Sequence, residues 1–252
     1  MILGKIDYLN LLPFHVFLKA SRLQNATKKS IELKKGTPSK LCDDLRARRI
    51  DAGVISSIEA RRYKQLNFGI CAKGRVSSVL VEKGSKSQKD AQSRSSNMLA
   101  KVLGIKGKVL IGDKALKAYL KAPQDFYDLA NLWEQKTALP FVFGRFACVK
   151  NKKAYKKIIK VFLNKNIKIP RYILNSYSQS RQISQNDILE YLKLIYYKIG
   201  KKEQKALTIF ISRSRSLHFQ AERLGILEFL ISILEFLKSR IPTQNFIFKN
   251  TP

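Results

Sequence analysis

The chain has 252 residues, 45% of them apolar, with 49 lysines and arginines against 18 acidic residues and a net charge of +31. That length can bury a substantial core in one large or two smaller units, and no uncharged apolar run reaches the 18 residues of a membrane span. The excess charge is spread evenly, +17 in residues 1–150 and +14 in 151–252, so it describes a lysine-rich surface that attracts small anions and argues against a nucleic-acid partner, which would need a concentrated patch. Cys42, Cys71 and Cys148 lie far apart without metal-ligand spacing. Met1 leads directly into an apolar run with no basic segment before it. The expectation is a reduced, cytoplasmic protein without metal or cofactor.

The first thirteen residues, M-I-L-G-K-I-D-Y-L-N-L-L-P, predict a strand that ends in a polar loop, with Pro13 in the first turn of the following helix. Ser30–Lys34 reads as a second strand. Thr37-Pro38 caps and starts a helix through Arg48, with Leu41 and Leu45 on one face. D-A-G-V-I (51–55) is a short buried strand, followed by Ser56-Ser57 and a helix to Tyr63. Residues 68–72 and 76–82 read as two further strands. The polar stretch 84–93 is the expected crossover between two lobes. Ser95 or Ser96 caps a helix through Leu103, 109–111 is a strand, 113–120 a helix, and Phe141–Val149 another strand. In K-N-K-K-A-Y-K-K-I-I-K (150–160) the lysines form the solvated face of a helix whose inner face is Tyr155, Ile158, Ile159 and Phe162. This alternation predicts an α/β fold built on a mostly parallel sheet.

Polar residues gather at the ends of these strands: Asn10, Ser56 and Ser57, Ser77 and Ser78, Ser95 and Ser96, and Gly112-Asp113. Any one serine pair is equally well a helix cap. At successive strand ends they describe a cleft of neutral donors suited to a small anion, since strand ends and helix starts are where such ligands bind. The chain has no G-x-G-x-x-G, no G-x-x-x-x-G-K-[ST] and no G-x-S-x-G. Its two histidines are His15 and His218, and His15 reads as packing rather than as a site residue. The chemistry expected of such a site is one in which the substrate supplies its own reactivity.

Taken in order, G-K-I-D-Y-L-N-L-L-P-F (4–14), D-A-G-V-I-S-S-I-E (51–59), G-R-V-S-S-V-L (74–80), S-R-S-S (93–96), L-I-G-D-K-A-L (110–116) and Y-D-L-A-N-L-W (127–133) with L-P-F-V-F (139–143) closely resemble the chorismate dehydratase family of the futalosine route to menaquinone. The resemblance covers roughly residues 1–210. It implies a two-lobed fold like that of type II periplasmic binding proteins, with the ligand in the cleft between the lobes. Residues 1–84, completed by a helical segment from about 180 to 252, would form one lobe and 92–175 the other, with crossovers near 84–92 and 171–180. It also implies loss of water from chorismate, a dianion, with Asn10 and Ser78 in catalytic positions. Ser56, Ser57, Ser77, Ser95, Ser96, Gly112 and Asp113 would bind the substrate.

This chain departs from the family in a shortened stretch between the Ser96 helix and Val109, in serine replacing threonine at Ser95, and in a C-terminal part, 211–252, without counterpart. Leu224, Leu227, Ile231 and Leu234 form an apolar stripe there, which either packs on the body or makes a homodimer; monomer and homodimer both stay open. The sister enzyme 1,4-dihydroxy-6-naphthoate synthase and a non-catalytic binding protein for a small carboxylate remain the alternatives.

Overall fold

The computed structural model describes residues 1–217 and 219 and divides into two compact units, Met1–Ile211 and Ser212–Pro252. Of the second unit, residues 212–217 and 219 are helical. The apolar stripe expected at 224–234 lies outside the described residues.

The first unit opens with β1 (Lys5–Ile6), a 3-10 turn at Leu9–Leu11 and α1 (Leu12–Ala20). Pro13 is in the first turn of α1, where amide groups have no intrahelical acceptor and the missing N–H costs nothing. Next come α2 (Asn25–Leu33) and β2 (Lys35–Gly36), which pairs parallel with β1. The strand expected at Ser30–Lys34 is therefore corrected to the end of a helix. Thr27, Ser30 and Ile31 recur at helical spacing and form its buried face, and Ser30 Oγ accepts the Leu3 N–H at 3.1 Å while donating to the Thr27 carbonyl at 2.7 Å.

Thr37 does cap α3 (Pro38–Arg46), its Oγ1 accepting the Lys40 N–H at 3.3 Å. The fully buried β3 (Ala52–Ser56) runs straight into the one-turn α4 (Ser57–Ala60) and then β4 (Lys64–Ala72). The chain continues through β5 (Val79–Glu82), α5 (Arg94–Leu103), β6 (Lys108–Ile111), α6 (Gly112–Lys121), β7 (Phe126–Asp128) and α7 (Leu129–Thr137). It continues with β8 (Phe141–Cys148), α8 (Lys152–Leu163), α9 (Arg171–Arg181), α10 (Gln185–Lys193) and β9 (Ile195–Lys198), after which residues 201–211 are helical. As expected, α8 turns Tyr155, Ile159 and Phe162 inward.

One sheet has the order β3-β8-β4-β9 and the other β6-β5-β7, and every pair of strands in both is antiparallel. This corrects the mostly parallel sheet expected from the alternation. Among the described residues, parallel pairing is limited to β1–β2 and to the bridges Leu3–Ala52 and Gln88–Lys108. The cause is long-range: β8 inserts between β3 and β4, so strands close in sequence are not neighbours. β4 and β8 approach so tightly that a Cβ at Gly69 would collide with the Gly144 carbonyl oxygen.

Phe141–Cys148 is an inner strand of the first sheet. Within the stretch 84–93, Gln88 is bridged to Lys108 of the edge strand β6. The chain passes between sheets after β4 and again before β8. Over β4, the rings of Phe14, Phe68 and Phe162 meet at centroid distances of 4.7–5.5 Å. Phe68 stacks on Tyr197 at 5.8 Å, which fixes that phenol beneath the loop after β1.

Candidate active site

The loop after β1 is held from several directions. Leu9 N–H donates to Asp113 Oδ1 at 2.9 Å, the Tyr197 hydroxyl to the Asn10 carbonyl at 2.8 Å, and the Tyr8 hydroxyl to Gln92 Oε1 at 2.7 Å. Arg181 completes the clamp, donating to Asp113 Oδ2 at 3.2 Å and to the Asp7 carbonyl at 3.3 Å while its guanidinium lies 4.3 Å from the Tyr177 ring centroid. Burial pushes the Asp113 carboxyl above the usual carboxylate range, against the pull of the Leu9 N–H and Arg181. The loop therefore presents Asn10 on a braced turn, with its Oδ1 buried and without a hydrogen-bond partner.

Opposite it, the Ser77-Ser78 turn enters β5. Ser77 has a φ of +59°, a left-handed conformation that costs a non-glycine residue about 1 kcal/mol. The Asp128 carboxylate holds it there, accepting the N–H groups of Val76 at 2.9 Å and Ser77 at 2.6 Å. Its other oxygen caps α7 through Ala130 and Asn131 at 3.0 and 3.1 Å. Ser78 thereby faces inward; its carbonyl accepts the Gly112 N–H at 2.9 Å and its Oγ accepts from the Tyr191 hydroxyl at 2.9 Å. Gly112 has a φ of +70°, and a Cβ there would lie 3.1 Å from the Tyr8 ring. Glycine is required on both counts.

These pieces enclose a small cavity of about 30 Å³, lined by Asn10, Ser78, Ser93, Ser96, Gly112 and Tyr8, with Ile6, Pro38, Ile70, Val79, Ile111, Phe143 and Gly144 supplying its apolar wall. No lining side chain is charged. The starts of α3, α5 and α6 border it at Pro38, Ser93 and Gly112, and each brings the positive end of a helix dipole. Ser93, not Ser95 or Ser96, caps α5, its Oγ accepting the Ser96 N–H at 3.2 Å and lying 2.9 Å from Ser96 Oγ. The site suits a ligand that carries negative charge on an apolar frame. Among the described residues no cluster of histidine, cysteine and carboxylates could hold a metal.

Of the residues singled out in the sequence, Asn10, Ser78, Ser96 and Gly112 meet at this cavity. Ser57 and Ser95 pair with each other at 3.1 Å, and Ser95 Oγ accepts the Ile58 N–H at 3.2 Å; they join α4 to α5 behind the cavity wall. Ser56 is buried with its Oγ unpartnered, and Ser77 and Asp113 serve the two braced turns. Tyr8, Ser93, Tyr191 and Tyr197 were not among the sequence candidates. Ser93 carried a readable signal, a serine three residues before the Ser96 amide that it caps. The tyrosines carried none.

A larger groove of about 1120 Å³, bordered by Lys5, His15, Lys28, Tyr172 and Arg181, lies apart from the serine pairs. His15 is outside the candidate cavity, in keeping with its reading as a packing residue. Burial lowers its imidazole well below the usual histidine range, with the Lys5 and Lys35 charges acting in the same direction, and Nδ1 has no hydrogen-bond partner. The unfolded chain therefore takes up this proton first as pH falls below 6.5, and the stability contributed by the neutral ring, complete above that value, is lost on acidification. Urea unfolding between pH 7 and 5 is expected to show a slope of up to about 1.4 kcal/mol per pH unit from one linked proton, absent in His15→Leu. An unchanged slope in that variant would assign the acid sensitivity to other groups.

Comparison with known proteins follows the same residues. A sequence family described as menaquinone biosynthesis matches residues 1–107 and 91–216. A chorismate dehydratase of Campylobacter jejuni subsp. jejuni serotype O:23/36 (strain 81-176) is 54% identical over 221 residues, covering 86% of this chain and 99% of that protein. Among solved structures, a protein from Archaeoglobus fulgidus aligns over 86% of this chain and 97% of its own with a TM-score of 0.62 at 11% identity. An ABC transporter structure from Parabacteroides distasonis aligns over 85% and 91% with a TM-score of 0.53 at 13% identity. At such identities these two speak for the fold alone, which is the periplasmic-binding-protein-like α/β fold. No described helix is long and apolar enough to cross a membrane.

Proposed function

The chain belongs to the chorismate dehydratases of the menaquinone biosynthesis family, and on that premise we propose that it acts as a hydro-lyase, converting chorismate to 3-[(1-carboxyvinyl)oxy]benzoate and water. The observation that carries the reading to this chain's own residues is the convergence of Asn10 and Ser78 on one uncharged cavity bordered by three helix starts. A ring C–H bond and the ring C–O bond break; the C–H electron pair completes the aromatic ring, and hydroxide leaves with the C–O pair and takes up the proton. Aromatisation supplies the driving force, so the protein has to hold a dianion and stabilise charge as it moves to the departing oxygen.

The residues divide that work. Ser93 and Ser96 offer a hydroxyl donor to a carboxylate at the start of α5, while Gly112, its N–H engaged by the Ser78 carbonyl, leaves room for the Tyr8 ring. Asn10 and Ser78 orient the ring and hydrogen-bond its hydroxyl. A carboxamide is a poor base, and the nearby Asp113 carboxylate is engaged with Leu9 and Arg181. The proton therefore passes to the substrate's own carboxylate or to a water. Ser57, Ser95 and Asp113 act from behind, holding the surfaces that carry the donors.

The test is to incubate the purified chain with chorismate and follow the aromatic product by absorbance and mass. Stoichiometric conversion with many turnovers is the expected result. Tight binding of chorismate without turnover would make the protein a carboxylate-binding module instead.

A further inference from the structure

Ser78 and Tyr191 lie 113 positions apart and meet in the interior, both nearly inaccessible to solvent. The Tyr191 phenol donates to Ser78 Oγ at 2.9 Å. A serine hydroxyl has one proton to give and two lone pairs to accept with. Once a phenol fills one lone pair, the Ser78 O–H turns away from Tyr191. On its other side lies the cavity shared with Asn10. Burial raises the Tyr191 phenol above its usual range, the Ser78 bond pulling the other way, so the phenol keeps its proton at any working pH. α10, which carries Tyr191, packs against both the Leu9–Leu11 turn and β9. One helix thus sets Ser78 in register with the loop that bears Asn10.

We propose that Tyr191 is a positioning residue for the dehydration: by donating to Ser78 Oγ it aims the Ser78 hydroxyl proton at the departing ring hydroxyl. The inference rests on the function proposed above. Donation in series, from phenol to serine to departing oxygen, polarises each bond for the next, and the benefit grows as charge collects on the leaving group. Tyr191 therefore acts on the rate of turnover through Ser78 and has no contact of its own with substrate.

Steady-state kinetics on chorismate test this in wild type, Tyr191→Phe, Ser78→Ala and the double variant, with thermal stability measured alongside. Tyr155→Phe is the control, since its hydroxyl is also on a buried tyrosine and donates to the Ile2 carbonyl at 3.4 Å, away from the cavity lining. Tyr191→Phe is expected to lower kcat about 10- to 100-fold, the usual cost of losing a residue that orients a contacting group. KM should stay within about twofold, because substrate binding is not what the bond serves. Added to Ser78→Ala, the same change should cost nothing further, and Tyr155→Phe should keep wild-type kcat. Wild-type kcat in Tyr191→Phe, an equal loss in the Ser78→Ala background, or a parallel collapse of melting temperature and KM would each overturn the proposal. An inert wild type would instead sink the function reading itself, and this inference with it.

Discussion

Asn10→Ala is expected to lower kcat on chorismate about 100- to 1000-fold, the range for removing one aligned polar group from a site of developing charge, while KM changes little. The argument is geometric. The loop is braced by Asp113, Tyr197 and Tyr8 through Leu9 N–H, the Asn10 carbonyl and the Tyr8 hydroxyl, and none of those bonds uses the Asn10 side chain. Truncation therefore removes the amide and leaves the loop in place. The buried Oδ1 has no protein partner to lose, so the fold should not suffer. Asn10→Asp separates charge from shape: it keeps the size but puts an anion into a cavity with no cation in its lining, and KM should rise as kcat falls. Near-normal kcat with only a raised KM in Asn10→Ala would show that the residue merely binds.

Asp128→Ala is expected to be the most destabilising single change near the site, although Asp128 is absent from the cavity lining. Its carboxylate accepts four backbone N–H groups, two at the Ser77 turn and two at the start of α7. Losing a helix cap costs about 1 kcal/mol, and stranding the buried Val76 and Ser77 amides costs about 1–2 kcal/mol each, for a total of about 3–5 kcal/mol. Ser77 would also lose what holds it at a φ of +59°, so Ser78 should drift and kcat fall with stability. Asp128→Asn keeps an acceptor oxygen and should fall between. Urea titration gives the stability, and a loss below about 1 kcal/mol, no more than a cap alone, would mean the turn is held by other contacts.

Asp128 also illustrates what a sequence conceals. Its helix-capping role is local and readable from D-L-A-N before an apolar run; its grip on Ser77, 51 residues away, is not. The same division runs through the site. Thr37 before Pro38, Pro13 in the first turn of a helix, and serine at a helix start are signals spanning three or four residues, and the first two elements formed where they were expected. The short alternation S-I-E-L-K at Ser30–Lys34 reads as a strand, but the inward face of Thr27, Ser30 and Ile31 decided for helix. Phe141–Cys148 is legibly a buried strand, but such a run packs in either sheet, and the choice placed it between β3 and β4.

The sequence by itself determined the family, the α/β class, the elements around the first helices and the identities of Asn10, Ser78, Ser96 and Gly112 as cavity residues. Each of those rests on patterns contained within short segments or on their order along the chain. Only the tertiary structure decided which serines face the cavity and which join helices behind it, that the sheets are antiparallel, and that three tyrosines support the site. Those outcomes depend on contacts between segments tens to more than a hundred residues apart. A side chain's direction is set by what packs against it, and neighbouring sequence carries little record of a partner so distant.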